Sequence, residues 1–180
     1  MAIILLTGFA PFNQETTNPS WQAVKQFAAK TTSDGSQIHV AELPCEFGRA
    51  NEVLISLIQQ THADTVICLG QAGGRAEISV ERVAINIDDA RIADNAGNQP
   101  IDQRILAHGQ NAYFSSLPIK AIVQALKHGG IPAQVSQTAG TFVCNHVFYG
   151  LMHYAETHPH IKRAGFIHIP YLPEQAVNHA

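Results

Sequence analysis

Charge is scarce in this 180-residue chain: Asp, Glu, Lys and Arg together make up 14% of it, against about 25% in an average soluble domain. No run of Lys and Arg occurs, and the formal net charge is -3. That combination excludes the clustered basic footprint of a nucleic-acid binder, so no nucleic-acid partner is expected. Long apolar runs are missing too. The opening MAIILLTGF is apolar but far shorter than a bilayer span, has no basic region before it and no cleavage site after it. No membrane association is expected, and a cytoplasmic protein with reduced thiols is. Cysteines number three, an odd count at positions 45, 68 and 144. They form no C-x-x-C pair, so they read neither as a disulfide framework nor as a zinc site.

What the chain does have is apolar material, 46% of its residues. At this length a single domain spanning 1–180 is expected, with a continuous core. With so few charges, some of its surface is expected to be apolar enough for a second subunit to cover.

Hydrophobic patterning alternates strands with helices. Ile3 to Leu6, Ile38 to Leu43, Thr65 to Leu69, Ile78 to Ile87, Ala133 to Gln137 and Gly165 to Ile169 read as strands. Trp21 to Ala28, Val53 to Ile58, Ile119 to Leu126 and Asn145 to Thr157 carry helical spacing. That order predicts an α/β fold, a three-layer α/β/α domain whose largely parallel mixed sheet is covered by helices on both faces. Asp88 to Asn111, rich in Asp, Asn, Gly and Gln, reads as a long loop of the kind reserved for function or mobility. Ligands of open α/β sheets bind beyond the carboxyl ends of the strands, so the residues just after each strand are the candidates.

Among them Cys144 stands between a Gly140 turn and the expected start of a helix. A helix start favours a thiolate and offers N–H groups to a developing oxyanion, yet on position alone a lone cysteine reads more readily as small apolar filler. Cys68 lies mid-strand and reads as core. Cys45, at a strand exit, reads as structural. His168 ends the apolar run GFIHI and is the candidate base, whereas His146, two residues after Cys144 on one helix, points elsewhere. Glu81 interrupts ISVERVAIN, either as an ion-pair partner of Arg75 or Arg82 or as the group that holds an imidazole. GQAGG (Gly70 to Gly74) matches neither phosphate-loop pattern and reads as a tight turn bringing Gln71 to a ligand.

Four segments taken together resemble the pyrrolidone carboxyl peptidase (pyroglutamyl-peptidase I) family of cysteine peptidases. They are TGFAPFNQETTNPSW (Thr7 to Trp21), GQAGGRAEISVERVAIN (Gly70 to Asn86), IPAQVSQTAGTFVCNHVFY (Ile131 to Tyr149) and IHIPYLPEQ (Ile167 to Gln175). The resemblance implies removal of an amino-terminal pyroglutamate from peptides through a thioester. It makes Cys144 the nucleophile, His168 the general base and acid, and Glu81 the group orienting the imidazole. Arg91 and the Cys144 amide become the oxyanion donors, and Phe9, Phe12, Gln71 and Phe142 the contacts of the lactam ring. No metal or organic cofactor is implied, and a homotetramer is. Family members continue past the position of Val177 into a further long helix, which this chain, ending at Ala180, is expected to lack.

Overall fold

In a computed structural model, which describes residues 1–177, the chain forms eight strands and five α-helices. The expected lack of a helix beyond Ala180 lies outside the described residues. Six strands make one sheet in the order β2-β1-β3-β8-β4-β7, comprising β1 (Ile3–Phe9), β2 (Gln37–Leu43), β3 (Thr65–Gln71), β4 (Ile78–Glu81), β7 (Ala133–Ser136) and β8 (Arg163–Ile169). β2, β1, β3 and β8 are mutually parallel. β4 pairs antiparallel with β8 and parallel with β7, which makes the sheet mixed.

The chain moves from β1 outward to β2, then back across β1 to β3. Right-handed crossovers in opposite directions put α1 (Pro19–Val24) and α2 (Arg49–Thr61) on opposite faces. α2 packs against α4 (Val143–Thr157), while α3 (Ile119–His128) lies on β4 and β7. The face under α2 and α4 is the better buried. Leu5, Val66, Cys68, Ala164 and Phe166 from the sheet meet Leu54, Ile58, Val147, Phe148 and Leu151 from these helices. Each of those helix residues recurs at the i, i+3 or i+4 spacing that keeps one stripe inward.

The structure corrects several expected boundaries. The run Ile78 to Ile87 is two strands, because Arg82 leaves the main sheet. Its N–H still donates to the Ser136 carbonyl at 2.9 Å, while its own carbonyl accepts from Ser115 N at 2.8 Å. β5 (Val83–Ile85) therefore starts a separate two-stranded antiparallel sheet with β6 (Ala112–Phe114), a strand too short for its periodicity to be read. The first helix ends at Val24 and continues only as a 3-10 turn, Lys25–Phe27, which leaves Phe27 44% exposed rather than on an inner stripe. Pro173 opens a further short helix, α5 (Pro173–Ala176).

Candidate active site

The carboxyl ends of β1, β2, β3 and β8 surround a cavity of about 380 Å³. Every residue placed in the site from sequence lines it, except Glu81, which stands directly behind. Phe9 and Phe12 follow β1, Gln71 ends β3, His168 lies near the end of β8, Arg91 comes from the long loop, and Phe142 and Cys144 come from the start of α4. A larger open groove of about 630 Å³ lies at the opposite rim, by Met1, Thr65 and Arg163, and is lined by neither cysteine nor histidine.

The Gly140 turn has φ of 77°, a conformation glycine adopts without penalty. It delivers Phe142, whose carbonyl accepts the His146 N–H at 3.1 Å as the first helical bond. α4 begins at Val143, so Cys144 is the second residue of the helix rather than the residue before it. Its own N–H belongs to the first turn, where amides have no intrahelical acceptor. On the opposing strand, a Cβ on Gly70 would lie 2.7 Å from Cys144 Sγ and 2.8 Å from the Phe166 ring. The missing side chain at Gly70 is what gives the sulfur its place over the sheet.

His168 pairs in register with Gly70 on β3 and with Ser79 on β4. Glu81, two residues beyond Ser79, shares its face because strand side chains alternate. The His168 Nδ1–H donates to Glu81 Oε1 at 2.8 Å, and both side chains are almost wholly buried. The ring's other nitrogen is thereby left for chemistry. The two readings of Glu81 prove compatible, because Arg75 Nη1 binds the same Oε1 at 2.7 Å. Arg75 continues to Ser136 Oγ and to the Thr138 carbonyl, tying the glutamate to the segment that leads into Cys144. Arg82 instead bonds Gln137. Because β4 runs against β8, Glu81 reaches the site from beneath the sheet's rim, a placement the strand-end rule does not predict.

Burial pushes the Cys144 thiol well above its ordinary range, with the Glu81 charge adding and the Arg75 charge opposing. The helix start favours negative charge on the sulfur, and desolvation opposes it and outweighs it. Burial also drives Cys45 and Cys68 up to about 12. Cys45 nonetheless lines the cavity, together with Asn18, Arg75 and Thr141. Asn18 also caps α1, its Oδ1 accepting from Ser20 N at 3.0 Å.

The aromatic wall is tighter than an open ring slot. The Phe12 and Phe142 centroids stand 5.9 Å apart, short of the roughly 7 Å that two stacking gaps of about 3.5 Å require. A flat ligand therefore packs against this pair, or parts it, rather than entering a preformed gap. Phe9 is only 2% exposed and packs on Phe166, so it is floor as much as wall. Gln71 Oε1 receives a long bond, 3.4 Å, from Gln175 Nε2.

A family model described as pyroglutamyl peptidase matches residues 2–180. The chain belongs to the pyroglutamyl peptidase family. It is 59% identical over 180 residues to a pyrrolidone-carboxylate peptidase of Cupriavidus taiwanensis, covering 99% of this chain and 83% of that one. It is 56% identical over 180 residues to the corresponding protein of Brevibacillus brevis, again across 83% of the relative's length. Among solved structures, the pyroglutamyl peptidase I of Bacillus amyloliquefaciens superposes with a TM-score of 0.94 at 51% identity, over 100% of this chain and 87% of that one. The pyrrolidone carboxyl peptidase of Pyrococcus furiosus gives a TM-score of 0.94 at 42% identity, over 98% of this chain and 84% of that one. The α/β fold with its mostly parallel mixed sheet is thus the family's own. Among the described residues no helix is long and apolar enough to cross a membrane.

Proposed function

We propose that this chain is a cysteine peptidase that removes an amino-terminal pyroglutamyl residue from peptides through a thioester acyl-enzyme. The observation that carries this reading is the line from Glu81 through the His168 imidazole to a cavity that also holds Cys144. Cys144 is the nucleophile. With the thiol raised by burial, His168 Nε2 takes its proton as Sγ attacks the carbonyl joining pyroglutamate to the next residue. Glu81 keeps the other N–H of the ring in place and stabilises the imidazolium that forms. The oxyanion is received by the free Cys144 amide and by Arg91. His168 returns its proton to the departing amine, and water, deprotonated by the same imidazole, then hydrolyses the thioester.

The lactam ring lies against Phe9, Phe12 and Phe142, and the Gln71 amide meets its polar edge. A site built to bond a polar group rejects an analogue lacking it by about 10⁴-fold, because its own buried groups go unpaired. A prolyl residue lacks the lactam carbonyl and carries a charge. The chemistry uses no metal or organic cofactor. With three unpaired thiols, a cytoplasmic setting fits, and we assign a homotetramer as the working assembly.

Alkylation followed by peptide mass spectrometry tests the nucleophile. Modification of Cys144 alone should abolish activity, and Cys144→Ser should lower kcat by orders of magnitude. Loss of activity with Cys144 unmodified would sink the assignment.

A further inference from the structure

His146 links three segments that contribute to the cavity wall, and nothing in the chemistry above uses it. It is 8% exposed. Its Nε2 accepts the Gly48 N–H at 3.0 Å, so that nitrogen carries no hydrogen. The ring N–H is consequently on Nδ1 and is donated to Asp88 Oδ2 at 2.8 Å. Gly48 belongs to the segment that carries Cys45 and Phe47 into α2. Asp88 lies three residues before Arg91, and His146 itself is two residues after Cys144.

The aromatic contacts repeat this arrangement. The Phe47 ring stands edge-on to His146, with centroids 5.5 Å apart at 88°, and edge-on to Phe142 at 5.4 Å and 89°. Asn51 of α2 adds a bond to the His146 carbonyl at 3.1 Å.

Asp88 depends on this contact. Its Oδ1 is buried without a partner, so His146 is the only side chain bonded to the carboxylate among the described residues. Its backbone is paired on both sides with Gln103, and the next residue is clamped to Thr141 by the Asp89 N–H and by the Thr141 hydroxyl. Removing the imidazole would leave a buried carboxylate with no donor, and such a group turns toward water. The backbone it would take along is the arm that ends in Arg91. A histidine here that served packing alone would not need two directional bonds of opposite sense, to two different loops.

We propose that His146 and Asp88 are a positioning pair that fixes the Arg91 arm to the Cys144 helix, keeping the Arg91 guanidinium over the cavity when the oxyanion forms. The inference rests on the reading of Arg91 given above. It acts through Arg91, so its signature is dependence on Arg91.

The test is a double-mutant cycle on a pyroglutamyl amide reporter, with folding followed separately by thermal melting. His146→Leu should lower kcat about tenfold or more in the otherwise native enzyme, and less than about twofold when Arg91 is already alanine. His146→Gln, which retains an acceptor for Gly48 and a donor for Asp88, should keep most of the native kcat. Should His146→Leu fail to fold, Asp88→Ala takes its place in the same cycle. Equal fold losses in both backgrounds, or a shift in melting temperature with kcat unchanged, would reduce the pair to a structural contact and overturn the proposal. If Arg91→Ala alone leaves kcat intact, the oxyanion role of Arg91 fails and the proposal with it. A native enzyme that leaves the reporter uncut overturns the functional reading itself.

Discussion

At Cys144 two influences oppose each other. The helix start supplies amide N–H groups that favour negative charge, and burial disfavours it. Burial wins, which raises the thiol above its ordinary range. The sign of the pH dependence follows. Below that raised value the sulfur holds its proton, so alkylation by iodoacetamide should be slow near neutrality and quicken by about tenfold per pH unit as the thiolate fraction grows. A fast rate that is already flat at neutral pH would mean a preformed thiolate–imidazolium pair instead. Sequence could not decide this balance. Position within GTFVCNHVFYG shows a helix start, but Gly70, the residue the sulfur lies over, comes from another strand. Glu81 was ambiguous for a similar reason: from sequence its partner was either an arginine or an imidazole, and the fold supplies both to a single oxygen.

At the scale of the element, the site depends on how closely α4 approaches β3. Gly70→Ala adds a Cβ only 2.7 Å from Cys144 Sγ and 2.8 and 2.9 Å from Phe166 ring atoms. Overpacking of this kind costs about 1–3 kcal/mol, and a misplacement of about 1 Å at a reacting atom costs about 10²-fold in rate. The variant should therefore melt somewhat earlier while losing far more in kcat than in stability. Native kcat in Gly70→Ala would show that the sulfur's place over β3 is not set by this approach. The long elements were legible because their periodicity is strong. α2 keeps Ala50, Leu54 and Ile58 inward, and β3 and β8 are continuous apolar runs. The reversal of β4 and β7 was not legible, since local pattern does not encode strand direction. Nor was the β5–β6 ribbon, whose strands are three residues each. The loop from Asp88 was recognised by composition alone. Its backbone bonds to Thr141 and Gln103, and the His146 bond to Asp88, are long-range and became visible only in the fold.

For the molecule as a whole, low charge left apolar groups on the surface: Phe114 is 72% exposed, Phe27 44% and Ile131 43%. Such residues invite burial against further copies of the chain. Sedimentation velocity at micromolar concentration should give the mass of four chains, and a monomer throughout would contradict the proposed tetramer. The proposed selection of a neutral lactam for attack by Cys144 is read from initial rates on pyroglutamyl, prolyl and glutamyl amide reporters taken side by side. Release from the pyroglutamyl reporter should be rapid and Cys144-dependent, with the prolyl reporter slower by about 10⁴-fold. Comparable rates on the prolyl and pyroglutamyl reporters would contradict it.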